Sequence, residues 1–271
     1  MITADLHVHS MASEDSETPV CEILSSAVNH HLRAIAVTDH VELVDFQKGA
    51  YDVAAEESWA LLESAAVPHG LRVARGIELG EPCFDTALAA RLLSAHPYDF
   101  VLASQHRLSD ALPDYYFIDY SDWTHDAIVR EMDAYFREVL RVVQWNGFDS
   151  LAHLTYPFRY LPSCWREGDY RPWQSVIDTV LGTLAENGKA LEINTSGIRK
   201  GLGQTSPDLP LIRRFRELGG VCITVGSDAH RPDEIGADLA VAETLMREAG
   251  FSAYTVYFDR QPQSVSIDGI D

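Results

Sequence analysis

Asp5-Leu6-His7-Val8-His9-Ser10 closes a short strand-like stretch, Ile2 to Val8, near the start of the chain. Residues two apart on a strand face the same way, so His7 and His9 project together at its end. Two adjacent imidazoles with Asp5 close by can begin a metal site. A three-residue His-X-His is equally compatible with two surface histidines near a mobile terminus. The positions of the other histidines decide between the two.

Working outward, Ala34-Ile35-Ala36-Val37 is a continuous apolar run that ends in Thr38-Asp39-His40. Such a run suits a parallel strand buried on both faces. The pattern recurs: 71–77 ends in Glu78, 100–104 in Gln105-His106, 150–152 in His153, and 221–225 in Gly226-Ser227-Asp228-Ala229-His230. Residues 190–194 and 254–258 read as further strands. Helical spacing of apolar residues fills the intervals, over 21–32 behind Pro19 and over about 53–67, 86–95, 124–145, 173–186, 209–218 and 238–249. Asn187-Gly188, Gly219-Gly220 and Gly250 are the stop signals. Seven strand–helix units without a composition break predict an α/β fold, a closed or distorted (β/α)7 barrel in one domain over 1–271. Active residues in such a barrel gather at the C-terminal ends of the strands. A doubly wound open sheet is the structural alternative; the lack of a Gly-rich loop after the first strand counts against a dinucleotide-binding version.

Two connections exceed what the repeat needs. Residues 107–123 carry Tyr115, Tyr116, Phe117, Tyr120 and Trp123, and residues 155–170 carry Arg159, Trp165 and Arg166. Loops of this length on a barrel are expected to be lids or substrate-binding segments.

Composition narrows the function. The formal charge is −20, from 41 acidic against 21 basic side chains, with no basic tract. That field repels a polyanion, so long nucleic acid is not the expected substrate, although local arginines can still hold a small phosphate ester. Four scattered cysteines without C-x-x-C spacing, no signal-peptide pattern and no apolar run of ~20 residues lead us to expect a reduced, cytoplasmic protein off the membrane.

Of eleven histidines, six (His7, His9, His40, His106, His153 and His230) fall at strand ends, where Glu78 and Asp228 also lie. Taken singly, each has an ordinary structural reading: Asp228 as a helix cap, Glu78 paired with Arg72 or Arg75. Taken together, imidazoles and carboxylates without thiolate suit Zn²⁺, Mn²⁺ or Fe²⁺ in a catalytic rather than a structural site. Eight candidate ligands exceed what one ion uses. Two or three metals are expected, arranged to clamp an attacking water and a leaving oxygen.

These motifs, His7-Val8-His9, Thr38-Asp39-His40, Glu78, His106, His153 and Gly226-Ser227-Asp228-Ala229-His230, resemble the PHP superfamily of polymerase-associated domains and histidinol phosphatases. Ser104-Gln105-His106, His153-Leu154 and Asn194-Thr195-Ser196-Gly197-Ile198-Arg199 are similar to the stand-alone histidinol-phosphate phosphatases. The resemblance implies a distorted (β/α)7 barrel with a trinuclear centre. By position, His7, His9, Glu78 and Asp228 would hold a first metal; Glu78 would bridge to a second completed by His106 and His153. Asp15, His40 and His230 would hold a third. Many relatives have His at the Asp15 position, and Glu14 and Glu17 are alternatives in the same loop; a carboxylate there tilts the site toward Mn²⁺ or Fe²⁺ over Zn²⁺. The resemblance also makes Arg159 and Arg199 phosphate binders, consistent with the bidentate fork of arginine. Asn194 and Ser104 are candidate substrate contacts, and Asp228 and His230 are candidates for proton transfer.

The expected reaction is hydrolysis of a small phosphate monoester, L-histidinol phosphate first among them, in histidine biosynthesis. The rival enzyme reading keeps the metals and takes a nucleotide, sugar phosphate or phosphotyrosine. A rival of another class is a metal-binding accessory module, which the full ligand set and the absence of a second domain disfavour.

Overall fold

The computed structural model describes residues 1–44, 51–108, 112–165 and 169–268. Seven strands, β1 (Ala4–Val8), β2 (Ala34–Val37), β4 (Arg72–Gly80), β5 (Phe100–Ser104), β6 (Ser150–Leu151), β7 (Ala190–Asn194) and β8 (Ile223–Gly226), follow one another in chain order, each parallel to the next. A parallel bridge between Val8 and Ala229 brings β1 back to the end of β8, with Asp228 N donating to His7 O at 2.8 Å and His9 N to Ala229 O at 2.9 Å. The sheet is thus a nearly closed barrel. Sequential order rules out the doubly wound alternative, in which the strand order reverses at a switch point.

The strands are short because they are buried on both faces: β1, β2, β5 and β7 are buried at every position. Helices α1 (Val20–Asn29), α2 (Tyr51–Ser64), α3 (Thr86–Ala95), α4 (His125–Trp145), α5 (Gln174–Glu186), α6 (Ser196–Arg199), α7 (Leu209–Glu217) and α8 (Leu239–Glu248) form the connections. The longest, α4, begins where Thr124 Oγ1 accepts from Ala127 N and ends at Asn146 in a left-handed conformation (φ 61°). Ile128, Met132, Tyr135, Phe136, Val139, Val142 and Val143 make one buried face at helical spacing. Each such side chain contributes about 1.5–3 kcal/mol when removed from water.

Two elements differ from the sequence-based expectation. A short strand, β3 (His40–Glu42), restarts after β2 and pairs with the far end of β4, His40 opposite Glu78 and Glu42 opposite Gly80. Residues 254–258 are not a further barrel strand: β9 (Ala253–Phe258) forms an antiparallel hairpin with β10 (Gln261–Ser266). Its turn, Asp259-Arg260, has positive φ at both residues (52° and 60°), the geometry a two-residue hairpin favours. Arg260 then pairs with Asp149, just before β6 and so at the N-terminal end of the barrel, away from the strand ends that carry the histidines.

Candidate metal centre

The C-terminal strand ends bring His7, His9, His40, Glu78, His106, His153, Asp228 and His230 together. Glu78 sits at the middle, fully buried on β4. Its Oε2 lies 3.1 Å from His7 Nε2, 3.5 Å from His9 Nε2 and 3.0 Å from His40 Nδ1. Its Oε1 lies 2.9 Å from His153 Nε2 and 3.3 Å from His106 Nε2. Asp228, in a left-handed conformation (φ 53°) just past β8, places Oδ1 at 3.6 Å from His9 Nε2 and 3.4 Å from His230 Nδ1. Asp15 reaches in from the loop after β1, half exposed, with Oδ2 at 2.8 Å from His230 Nε2 and 3.7 Å from His40 Nε2.

Supporting groups lock these side chains. Glu192, inside β7, accepts from His7 Nδ1 at 2.7 Å through Oε1 and from His153 N at 2.8 Å through Oε2. The close approach of β8 to β1 requires Gly226, where a Cβ would stand 2.3 Å from that of His7. His9 Nδ1 lies 3.2 Å from Ser13 Oγ, which donates to Asp39 Oδ1 at 2.8 Å. Asp39 also accepts from Ser10 N, Ser10 Oγ and Ser58 Oγ, so it anchors the loop that carries Asp15. Such outer carboxylates fix ring orientation and tautomer at metal sites.

The electrostatics follow from packing acids against imidazoles away from water. Burial opposes charge on His7, but Glu192 and Glu78 raise its pKa well above the ordinary imidazole value. His40 and His106 are likewise raised against burial, by Glu78 and Glu42 respectively in first place. His9 is held well below it by burial and then by His230, His40 and His7. Burial would raise Glu78 and Asp228, yet both sit well below the carboxylate range, Glu78 through His7, His40 and His106, Asp228 through Lys200, His7, His230 and His9.

The donor set fits divalent cations. His9 Nε2 is buried without a hydrogen-bond partner among the described residues, although it faces two carboxylates. His106 Nε2 and His153 Nε2 face one another at 3.3 Å beside Glu78. A neutral imidazole has one lone pair to offer, and a cation satisfies several that converge. Among the described residues, four triplets of such atoms lie within 4.8 Å of one another: His7-His9-Glu78, Glu78-His106-His153, His9-His40-His230 and His40-Glu42-His106.

Beside the cluster opens a cavity of about 460 Å³. Arg159 lines it, buried, with Nη2 at 2.6 Å from Ser196 Oγ and 4.0 Å from Asp228 Oδ2. Arg199 does not: its guanidinium donates to the carbonyls of Ser227 (2.6 Å) and Asp228 (3.2 Å) and lies 3.4 Å from Glu234. Lys200, one residue on, lines the cavity instead, with Nζ 3.7 Å from Asp228 Oδ1. Asn194 is buried among Glu192, Ser196 and Asp228 and does not reach the cavity wall. Ser104 is buried, and its Oγ makes no hydrogen bond among the described residues. Of the loop aromatics, Tyr116 and Phe117 line the cavity, while Tyr115 and Tyr120 pack into the core. Arg166 lies outside the described residues.

Sequence reasoning passed over Ser13, Asp39, Glu42, Glu81, Glu192 and Lys200. For Glu192 the signal was present: a carboxylate inside the run Ala190-Leu191-Glu192-Ile193 cannot be buried unless something pairs it.

A model of the family described as PHP domain matches residues 5–196, which hold every candidate ligand except Asp228 and His230. The chain belongs to the PHP domain family. Among relatives of this PHP chain, a "Probable histidinol-phosphatase" of Thermotoga maritima is 30% identical over 246 residues, 90% of each chain. A histidinol-phosphatase of Lactococcus lactis is 28% identical over 91% of each. The solved structure of histidinol phosphate phosphatase from Lactococcus lactis, in complex with zinc, L-histidinol and phosphate, superposes with a TM-score of 0.77 at 26% identity, covering 96% of this chain and 98% of that one. Among the described residues, no helix is long and apolar enough to cross a membrane.

Proposed function

We propose that the chain is a divalent-metal-dependent phosphatase that hydrolyses L-histidinol phosphate to L-histidinol and phosphate. The observation that carries this reading is one cavity in which a buried carboxylate–imidazole cluster meets Arg159 and Lys200 on the wall. Support for the substrate comes from the relatives of nearly equal length that are named histidinol-phosphatases and from the structural neighbour bound to L-histidinol and phosphate.

In this reading His7, His9, Glu78 and Asp228 hold one ion, Glu78 with His106 and His153 a second, and Asp15 with His40 and His230 a third. Zinc, manganese and iron all suit the ligands. Bound divalent ions polarise phosphoryl oxygens and lower the pKa of water toward neutrality. The chain's own residues supply the rest. Arg159 and Lys200 neutralise charge on the phosphoryl group, which is most of what phosphoryl transfer asks of a protein. Ser196 donates to Asp228 Oδ2 at 2.8 Å, which leaves Oδ1, facing His9, Lys200 and His230, as the oxygen available to a metal. Tyr116 and Phe117 offer flat apolar surface to an imidazole ring.

The test is steady-state hydrolysis of L-histidinol phosphate by the Mn²⁺-reconstituted protein, with a nucleotide and a phosphotyrosine ester alongside. A kcat/KM of at least ~10⁴ M⁻¹s⁻¹ for histidinol phosphate alone is expected, within the ordinary range for enzymes. Activity confined to another ester would discard the substrate, and no activity despite bound metal would favour the accessory-module reading.

A further inference from the structure

Behind His106 lie two buried carboxyls that the proposed ligand sets do not use. Glu42, at the end of β3, accepts from His106 Nδ1 through Oε1 at 2.8 Å. Glu81, just past β4, accepts through its own Oε1 from the backbone N–H groups of His106 (2.6 Å) and Arg107 (3.1 Å). Glu81 does so from a left-handed backbone conformation, φ 50°. A non-glycine residue there is strained and persists where its surroundings demand it. The neighbouring strand is cut back to make room. A Cβ on Gly80 would stand 2.0 Å from Glu42 Oε2 and 2.5 Å from its Cδ.

Glu42 is close enough to His40 and His106 to be a ligand itself. The ring of His106 argues otherwise. Once a metal has displaced its extra proton, the imidazole is neutral and carries one lone pair and one N–H. Its Nε2 lies 3.3 Å from both Glu78 Oε1 and His153 Nε2, in the triplet that is buried throughout. The lone pair belongs on that side, which leaves the proton on Nδ1, opposite Glu42.

We propose that Glu42 and Glu81 are positioning residues for His106: Glu42 fixes the Nδ1–H tautomer and the ring plane, and Glu81 fixes the backbone from which the ring projects. This rests on the reading of Glu78, His106 and His153 as one metal position. Outer-sphere partners of this kind are typically worth 10–100-fold in metal affinity.

The test uses the full chain, first metal-free and then titrated with zinc, as wild type, Glu42→Gln, Glu42→Ala, Glu81→Ala and Gly80→Ala. Nitrogen-15 NMR of the imidazoles in the zinc-loaded protein, where Nε2 is the ligand atom, should find an exchange-protected Nδ1–H proton on His106 in the wild type. That proton should survive in Glu42→Gln, whose amide oxygen still accepts, and be lost in Glu42→Ala. Gly80→Ala should behave like Glu42→Ala, because the added methyl displaces the carboxylate. Zinc affinity at one position should fall about 10–100-fold in Glu42→Ala and Glu81→Ala, and much less in Glu42→Gln. A wild type that binds no zinc would sink the metal reading itself. Equal zinc affinity in wild type and Glu42→Ala would overturn the positioning role alone. Loss of a whole equivalent of zinc in Glu42→Gln, with the His106 proton intact, would make Glu42 a ligand and overturn it too. Unchanged affinity in Glu81→Ala would remove Glu81 from the device.

Discussion

Glu192 Oε1 accepts a hydrogen bond from His7 Nδ1 at 2.7 Å, joining β7 to β1 through the inside of the barrel. Both side chains are shut off from water, and the other oxygen of Glu192 holds the backbone N–H of His153. The Glu192→Ala substitution would leave His7 Nδ1 and His153 N buried without this acceptor and take one acceptor from Asn194 Nδ2. We expect a loss of about 3 kcal/mol in unfolding free energy, with bound metal falling in the same protein. Thermal unfolding and metal analysis check it; a variant as stable and as metal-rich as the wild type would contradict it.

The two arginines singled out by the sequence are expected to behave differently. Arg159→Ala should raise KM for the phosphate ester by ~10–100-fold, the worth of a lost charge-assisted hydrogen bond, with metal content unchanged. Lys200→Met should act in the same direction. Arg199→Ala should instead loosen the turn at Ser227 and Asp228, whose carbonyls it holds, and show as lower thermal stability and weaker metal binding. Steady-state kinetics beside metal analysis separates the cases, and an Arg199→Ala variant altered in KM alone would reverse the assignment.

Metal affinity should rise with pH. The raised pKa values of His7, His40 and His106 mean that the metal-free protein holds protons on these rings. The stability those protons contribute is fully present below the ordinary imidazole value of ~6.5 and is lost as pH climbs through the raised values. Metal must displace the same protons. Calorimetric titration at neutral pH, in buffers of different ionisation heat, should therefore detect proton release on zinc binding. Affinity independent of pH would refute this.

Asp208 gives a second pH signature, far from the histidines in sequence. Burial pushes its carboxyl up to about 6. Its contribution to stability is present below the unfolded value near ~3.9 and disappears as pH rises through about 6, an effect on the order of 2–3 kcal/mol. Asp208→Asn, which carries no titrating carboxyl, should gain on the wild type between pH 4 and pH 8. Parallel denaturation curves at the two pH values check the sign.

Much of the centre was legible in sequence because a parallel barrel ties sequence position to place. Each apolar run ends at the same rim, so whatever polar residue follows it is delivered there; His40, Glu78, His106, His153 and Asp228 could be picked out on that ground. Arg199 shows where the rule stops. Arg199 is the last residue of the short helix α6 and Lys200 the first beyond it, where the backbone leaves the helix, so Lys200 faces the cavity while Arg199 turns to the carbonyls of Ser227 and Asp228. Glu42 was passed over for a similar reason, since nothing in His40-Val41-Glu42 announces that the chain resumes pairing with β4. Residues 254–258 read from sequence as another strand of the repeat because a buried strand has the same apolar pattern whichever sheet it joins.

The sequence by itself determined the repeating strand–helix architecture, the rim on which the ligands gather and the kinds of ligand present, because periodicity and residue chemistry are local properties. Only the tertiary structure decided which groups touch: Glu78 at the centre of five imidazoles, Glu192 behind His7, Glu42 behind His106, and Lys200 rather than Arg199 at the cavity. Those contacts join residues up to 185 positions apart, and their geometry is set by barrel closure and side-chain direction, which no local pattern encodes.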